Sequence, residues 1–200
     1  MSLNFLTVGH SNHTIDKFGD LVASCGIEAV VDVRSHPKSG FAPWFNQNSL
    51  RRYLWSRGMH YVFLGAELGG RVEDPQCYDD TGRILYERVA ETGSFHAGVD
   101  RLVIGANKFK VAVMCTEKDP LDCHRFLLIS RYMANRVGAT IRHLHADGRV
   151  ESQSEAEVRL RELWDLSQAD FFADDDQQLN RAYEFQSKKA AYRLASIEDL

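Results

Sequence analysis

Residues 110–115 read Lys-Val-Ala-Val-Met-Cys, and residues 116–125 continue as Thr-Glu-Lys-Asp-Pro-Leu-Asp-Cys-His-Arg. The first stretch is apolar without interruption after its lysine, which is typical of a parallel strand covered on both faces. The second stretch is polar and leads into a helix that we predict over about residues 123–137, ending at Gly138. A buried strand, a short loop and a helix form the repeating unit of an α/β fold.

The same unit recurs on both sides of this stretch. Further strands are predicted from apolar runs at residues 5–9, 29–33, 61–64 and 140–144. Helical periodicity separates them at residues 15–25, 48–57, 82–91 and 95–106. We therefore expect a Rossmann-like α/β domain over residues 1–150, with a mostly parallel sheet flanked by helices on both faces. Residues 151–200 are predicted to form a helical, acidic C-terminal extension that packs on this domain or on a partner subunit in a homodimer.

The composition is that of an ordinary globular protein. The chain has 200 residues, of which 44% are hydrophobic and 26% charged, which excludes collagen, low-complexity disorder and a disulfide-dense miniprotein. No apolar run approaches the roughly 18 residues that a membrane span needs. Residues 1–4 show no basic segment followed by an apolar one, so we expect no export signal. Four cysteines in such a chain predict reduced thiols and a cytoplasmic location.

Charge is distributed unevenly along the chain. Residues 150–200 hold 6 basic and 12 acidic residues, whereas residues 1–149 hold 18 and 16. Residues 34–71 contain six basic residues and only one acidic residue, Glu67. Five aromatic residues lie between the basic ones in the sequence: Trp44, Phe45, Tyr53, Trp55 and Tyr61. Basic and aromatic side chains together can hold single-stranded nucleic acid, so a nucleic-acid-binding module is one hypothesis. A solvated helix face beside an apolar one is the simpler interpretation.

Reactive side chains follow three of the predicted strands. In open parallel sheets, ligands bind beyond the carboxyl ends of the strands, where the strand order reverses. The residues at those ends are His10 and Ser11, then Asp32, Arg34 and Ser35, and finally Cys115, Thr116 and Glu117. If the first strand lies between the second strand and strand 110–115, all three ends meet in one crevice. We place the candidate site between the first strand and strand 110–115.

The start of the helix at 123–137 is suited to an anion. Asp122 is predicted as its N-cap, which places Cys123, His124 and Arg125 in the first turn. Unpaired amides at a helix start bind anions and favour thiolate over thiol. Arg125 and Arg34 can each grip two phosphate or carboxylate oxygens. Arg71, on the flexible loop of Gly69 and Gly70, is expected to close over the bound group. A phosphorylated or nucleotide-like anion is the predicted ligand.

Three kinds of chemistry fit these residues. In the first, Cys115 or Cys123 is a nucleophile with His124 or His10 as the proton carrier. Phosphatases and sulfurtransferases use a related arrangement, but with a shorter spacing than the nine residues between Cys115 and Arg125. We expect Cys115 to react and Cys123 and His124 to activate it, as in a hydrolase or transferase.

The second and third kinds use other groups. Asp32 and Glu117 can act as paired carboxylates on a sugar, one attacking or stabilising a carbon while the other protonates the leaving base. Alternatively, Cys115, Cys123 and His124 bind zinc, with His10 as the fourth ligand. The seven residues between the cysteines are more than the usual zinc-knuckle spacing, so no metal or other cofactor is predicted.

Structural roles compete with all three kinds of chemistry. Cys115 can be a small apolar core residue at the end of a buried strand. Glu117 and Arg125 can form an ion pair that holds the loop to the helix, and Asp32 can simply brace Arg34. The functional interpretation rests on the clustering of polar groups at strand ends, because such groups cost folding free energy unless they are paired.

The strand ends carry the motifs Thr-Val-Gly-His-Ser (7–11), Val-Asp-Val-Arg-Ser (31–35) with Pro37, Leu-Gly-Gly-Arg (68–71), and Cys-Thr-Glu (115–117) followed by Cys-His-Arg (123–125). In this combination the chain resembles the domain of unknown function 488 family over roughly residues 5–150. The resemblance implies an α/β fold of the kind expected above and implies no settled activity.

Overall fold

The computed structural model describes residues 3–166 and 174–194 and confirms a mixed α/β protein. Its strands are β1 (Asn4–Gly9), β2 (Ala29–Asp32), β3 (His60–Phe63), β4 (Val111–Cys115), β5 (Thr140–Leu144) and β6 (Val150–Ser152). They form one six-stranded sheet in the order β3-β2-β4-β1-β5-β6. Neighbours among β1 to β5 pair in parallel, and the edge strand β6 runs antiparallel to β5.

The strand order corrects one expectation. Of the three strands that end in reactive side chains, β4 and not β1 is the middle one, because its Val113 pairs with Val31 of β2 on one side and with Thr7 of β1 on the other. Every residue of β4 is apolar and buried, as a central strand requires. β1 instead carries Thr7, whose hydroxyl lies 2.8 Å from Nδ1 of His143 on β5. The crevice at the strand ends therefore lies between β2 and β4.

Helices cover both faces of the sheet. The α-helices are α1 (Ile15–Ser24), α2 (Gln47–Ser56), α3 (Gly65–Leu68), α4 (Tyr86–Val89), α5 (Gly93–Ala106), α6 (Gln153–Leu163) and α7 (Asp175–Ala190). On one face, Phe18 of α1 and Leu50 of α2 pack against the sheet with Phe45. On the other face, a larger core contains Phe95 of α5 together with Phe126. The predicted burial of the sheet by helices on both faces is confirmed.

The helix predicted at 123–137 begins differently from expectation. Asp122 is not its cap; it ends a 3₁₀ turn, Pro120–Asp122, in which the Asp119 side chain accepts from the Leu121 amide. Cys123 is extended at φ −136° and ψ 142°, and its carbonyl accepts from the amides of Phe126 and Leu127. Because Pro120 starts a turn of its own, the cap position moves from Asp122 to Cys123, and the first helical residue is His124. The helix is π-helical over Arg125–Ser130 and Met133–Val137.

The C-terminal helices share the core of the sheet domain. Ala156 and Leu160 of α6 and Ala182 and Tyr183 of α7 are buried in the larger core. The Gln186 side chain donates to the Leu121 carbonyl, so α7 also touches the loop before the predicted site. Parts of the predicted extension, residues 167–173 and 195–200, lie outside the described residues. Among the residues that the structure describes, no helix is both long and apolar enough to cross a membrane.

Candidate active site

A cavity of about 430 Å³ opens at the carboxyl ends of β2 and β4. One wall is the loop after β2, with Arg34, Ser35, His36 and Lys38, and the opposite wall contains Cys115, Thr116 and Glu117 after β4. The remaining lining residues are Gly70, Arg71, Tyr86, Asp122, Cys123, His124, Ala190 and Tyr192. The cavity thus unites most of the side chains that the sequence singled out after β2, after β4 and at the helix start.

Two thiols and an imidazole meet in this cavity. Nδ1 of His124 lies 3.7 Å from Sγ of Cys115 and 3.7 Å from Sγ of Cys123. Both cysteines are free, and all three residues are almost completely buried, with exposures of 4% for Cys115, 2% for Cys123 and 8% for His124. The two sulfur atoms and a ring nitrogen of His124 lie within 4.8 Å of one another. We call Cys115, Cys123 and His124 the Cys-His cluster.

The other ring nitrogen of His124 fixes the orientation of the imidazole. Nε2 donates a hydrogen bond of 3.1 Å to the Val33 carbonyl, which has only acceptor capacity, so Nδ1 is the atom turned toward the sulfurs. Gly70 lies against the same ring: a Cβ there would stand 2.9 Å from Cγ and 3.0 Å from Nδ1 of His124. The absence of a side chain at Gly70 is therefore what leaves room for this ring position.

Glu117 stands at the cavity wall beside the cluster. The residue as a whole is exposed, yet its Oε2 lies 3.0 Å from Sγ of Cys123. Arg125 anchors the backbone there, because its guanidinium donates to the carbonyls of Glu117 at 2.8 Å and Lys118 at 3.2 Å. Gly9 allows the loop to come this close, since a Cβ at Gly9 would lie 1.8 Å from the Glu117 carbonyl oxygen. Arg125, 1% exposed, holds the loop and does not line the cavity.

Burial and neighbouring charges separate the pKa values of the two thiols. Burial, followed by the interaction with Cys123, raises the pKa of the Cys115 thiol well above its ordinary value. Burial also opposes ionisation of Cys123, but a hydrogen bond from Cys115 and the charges of Arg125 and His124 lower its pKa well below the ordinary value. Of the two thiols, Cys123 is thus the one whose charged form is favoured, and the Arg125 amide donates to its sulfur at 3.5 Å.

The neighbouring acid and base respond to that charge. Burial of the carboxyl group and then the charge of Cys123 raise the pKa of Glu117. Burial alone would lower the pKa of His124, but the charge and hydrogen bond of Cys123, the charge of Glu117 and the bond to the Val33 carbonyl together raise that pKa. Glu117 and His124 therefore both hold their protons more tightly than free side chains do.

Asp32, Arg34 and His10 form a separate buried unit. Arg34 makes a two-pronged contact with Asp32, Nε to Oδ1 at 2.9 Å and Nη2 to Oδ2 at 2.6 Å. The Tyr61 hydroxyl donates to Asp32 Oδ2 at 2.8 Å, and Asp32 is fully buried. Because its oxygens are occupied and it does not line the cavity, Asp32 does not form the expected carboxylate pair with Glu117.

His10 belongs to this buried unit and not to the Cys-His cluster. Its Nε2 lies 3.1 Å from Arg34 Nη1 and its Nδ1 lies 2.9 Å from the Ser11 carbonyl, while the ring stacks on Phe45 at 4.3 Å. Burial and the Arg34 charge lower the pKa of His10 to about 4. The structure therefore contradicts the expectation that His10 is a fourth zinc ligand. The Ser11 amide donates a hydrogen bond to the Thr116 carbonyl, and Ser11 also lies outside the cavity lining.

The cationic groups of the cavity differ in part from those expected. Arg71 lines it as predicted, with its guanidinium 4.3 Å from the ring centre of Tyr192, and Ser35 Oγ accepts from its amide. Gly69 packs against Ser35 and is not part of the lining. Lys38 was not expected as a site residue, although it follows Arg34 in the same loop. Tyr192 was not expected either, because no local pattern places this residue beside β4.

The basic and aromatic segment 34–71 does not act as one surface. Phe45 is buried, Tyr61 is bonded to Asp32, and the Trp44 Nε1 donates to the His13 carbonyl. Trp55, by contrast, is 76% exposed. The aromatics expected to interleave with the basic residues are therefore divided between the core and solvent.

The fold and the site together define an α/β protein with a cysteine–histidine centre at the carboxyl ends of its parallel strands. The chain belongs to the family described as "Domain of unknown function DUF488", whose model matches residues 14–132. Searches among curated proteins and among solved structures gave no match. The family match contains the whole Cys-His cluster and Glu117 but ends before Tyr192.

Proposed function

We propose that the protein is an enzyme that acts on a small phosphorylated or nucleotide-like anion in the cavity between β2 and β4. One observation carries the proposal: the Cys-His cluster and Glu117 line the same cavity as the cationic residues Lys38 and Arg71. Reactive groups and anion-binding groups in a shared concave site are the usual composition of an active site.

The anion would contact the charged ends of Lys38 and Arg71, which line the cavity. Lys38 is exposed and offers a flexible ammonium group, and Arg71 is exposed with its guanidinium resting on Tyr192. Arg34 contributes less to a ligand, because most of its donors bind Asp32, the Phe45 carbonyl and His10. We therefore assign anion binding to Lys38 and Arg71, with Arg34 shaping the wall.

The reacting groups are those at the end of β4. Glu117 Oε2 and the two sulfurs lie within reach of one bound group, so Glu117 can move a proton while the cluster supplies the reacting centre. Such a set serves a hydrolase or a group transferase. The assignment of Cys115 and Glu117 to the reaction, with Cys123 and His124 beside them, is part of the same proposal.

A panel of phosphomonoesters, nucleotides and nucleosides tests this function directly. Glu117→Gln removes the acid at an exposed position, so we expect turnover to be lost with a nearly unchanged Tm. Cys115→Ser should also abolish turnover. Cys25→Ser is the matched control, because Cys25 is a partly exposed free thiol that packs against the core on the other face of the sheet. Turnover that survives both site substitutions, or that Cys25→Ser abolishes equally, would contradict the proposal.

A second candidate is nucleic-acid binding on the outer side of residues 34–71. Phe41 is fully exposed and Trp55 largely so, and Arg51 and Arg52 are exposed on α2. Exposed aromatics near arginines can stack bases, and such binding weakens steeply with salt as counterions are released. If the protein does not retain single-stranded DNA or RNA at low salt, this candidate is excluded.

A further inference from the structure

We propose that Cys115, Cys123 and His124 are the protein ligands of a zinc ion whose fourth coordination position opens into the cavity. This inference rests on the proposed function and deepens it by naming what the sulfur atoms do: Cys115 would serve the reaction as a metal ligand and not as a nucleophile. The binding of zinc itself does not require that function, because it depends only on the positions of the three donor atoms.

The three donors are spaced as zinc ligands are. A tetrahedral zinc ion takes sulfur at about 2.3 Å and nitrogen at about 2.0–2.1 Å, which sets a sulfur and a nitrogen ligand roughly 3.5 Å apart. In the protein, Nδ1 of His124 lies 3.7 Å from each of the two sulfurs. Both sulfur–nitrogen separations are therefore close to the tetrahedral value, and the two sulfurs lie within 4.8 Å of each other.

Hydrogen bonds outside the proposed metal position hold two of the donors, His124 and Cys123. Metal-bound histidines usually donate their second ring nitrogen to a carbonyl or carboxylate, which fixes the tautomer. Nε2 of His124 does so toward the Val33 carbonyl, and this leaves the Nδ1 side directed at the sulfurs. The Arg125 amide, in turn, donates to Sγ of Cys123, as is suitable for a coordinating thiolate. A pair of thiols that served only as core packing would need neither contact.

One side of the cluster is open to the cavity. Two further side chains that could serve as ligands are engaged elsewhere: His10 is held in the Asp32–Arg34 unit, and Asp122 accepts from Gln186. Three protein ligands and an open position facing a cavity are the arrangement of catalytic zinc sites, whereas structural sites take four. Glu117, with Oε2 3.0 Å from Sγ of Cys123, stands beside the open position.

The test measures metal in the full-length protein, prepared without a polyhistidine tag and without added chelator. We expect about one equivalent of zinc by elemental analysis. After the metal is stripped, titration with Co²⁺ should give the intense visible bands of a tetrahedral site and a sulfur-to-cobalt band in the near ultraviolet. Cys115→Ser and Cys123→Ser should each weaken zinc binding by about 100-fold or more. Cys25→Ser and Cys77→Ser should leave it unchanged.

The outcomes separate this inference from the proposed function. A folded wild-type protein that takes up no zinc, or whose cobalt spectrum lacks the sulfur band, would overturn the zinc site even if turnover were found. Equal weakening by Cys77→Ser would also overturn it. Zinc bound with the expected spectrum, but no turnover on any substrate, would leave the site standing and reject the enzyme. If one serine variant does not fold, the wild-type cobalt spectrum alone decides.

Discussion

Gly70→Ala is expected to displace the imidazole of His124 while keeping both cysteines of the Cys-His cluster in the sequence. The new Cβ would stand 2.9 Å from Cγ and 3.0 Å from Nδ1 of that ring, whereas ordinary carbon contacts are about 3.5–4.0 Å. The ring must therefore retreat by roughly 0.5–1 Å. It cannot retreat freely, because Nε2 is bonded to the Val33 carbonyl and Nδ1 faces both sulfurs.

The expected magnitude follows from that displacement. Overpacking of this size destabilises a protein by about 1–3 kcal/mol, and a misplacement of about 1 Å at a reacting centre costs about 100-fold in rate. We expect Gly70→Ala to lower zinc affinity and turnover by about 100-fold, measured by competitive zinc titration and by steady-state kinetics.

Gly105→Ala serves as the matched control for this substitution. Gly105 lies in α5, and a Cβ added there would have no neighbour within 4 Å. Alanine at this position should therefore stabilise the helix by about 0.5–1 kcal/mol and leave the site unaffected. If Gly70→Ala were to bind zinc and turn over substrate as the wild type does, the proposed positioning of His124 by Gly70 would be refuted.

Three further predictions concern stability and ligand binding. Burial lowers the pKa values of His10 and His143 from 6.5 to about 4. The contribution of their neutral forms to the free energy of unfolding is therefore present above pH 6.5 and is lost as the pH falls toward 4. Urea unfolding at pH 5 should show a loss of about 2 kcal/mol for each histidine relative to pH 7, and equal stability at the two pH values would contradict this. Lys38→Ala should raise KM about tenfold with little change in Tm, because it removes one charged contact to the anion; an unchanged KM would exclude Lys38 from binding. Arg159→Leu should lower the free energy of unfolding by about 2 kcal/mol, because it removes the guanidinium that donates to the buried Glu151 at 3.0 Å and to Asp119 at 2.8 Å, and leaves Glu151 with only His145 and Arg149; a loss below the error of urea unfolding would contradict this.

Five of the six strands, and the gathering of polar side chains at the carboxyl ends of β2 and β4, could be predicted from the sequence. The edge strand β6 was not predicted, and the crevice was wrongly placed between β1 and β4. The uninterrupted apolar run at β4 and the polar residues after it predicted both the strand and the reactive loop, because burial on two faces leaves a clear pattern. The order of the strands was not predictable in the same way. Whether β1 or β4 lies next to β2 depends on pairing between distant segments, for which local periodicity holds no information.

The roles of individual charged residues were harder to predict than their positions. Arg125 and Asp32 were correctly placed at the ends of elements, but a guanidinium suits a carbonyl as well as a phosphate. In the fold, Arg125 holds the Glu117 loop and Asp32 holds Arg34, so both serve the framework of the site. The structural role considered for Asp32 is thus the one that its contacts support. Tyr192 lines the cavity just after α7 ends, with its carbonyl bonded to the Ile84 amide, and no short motif encodes such a long-range contact.

The most direct test of the proposed anion site is the position of a bound oxyanion in a crystal of this protein. Tungstate is a suitable probe, because tungsten can be located by anomalous scattering and the ion resembles phosphate in shape and charge. We expect tungstate in the cavity between β2 and β4, in contact with Lys38 or Arg71 and beside the Cys-His cluster. Tungstate bound only elsewhere, with that cavity free of it, would contradict the central claim.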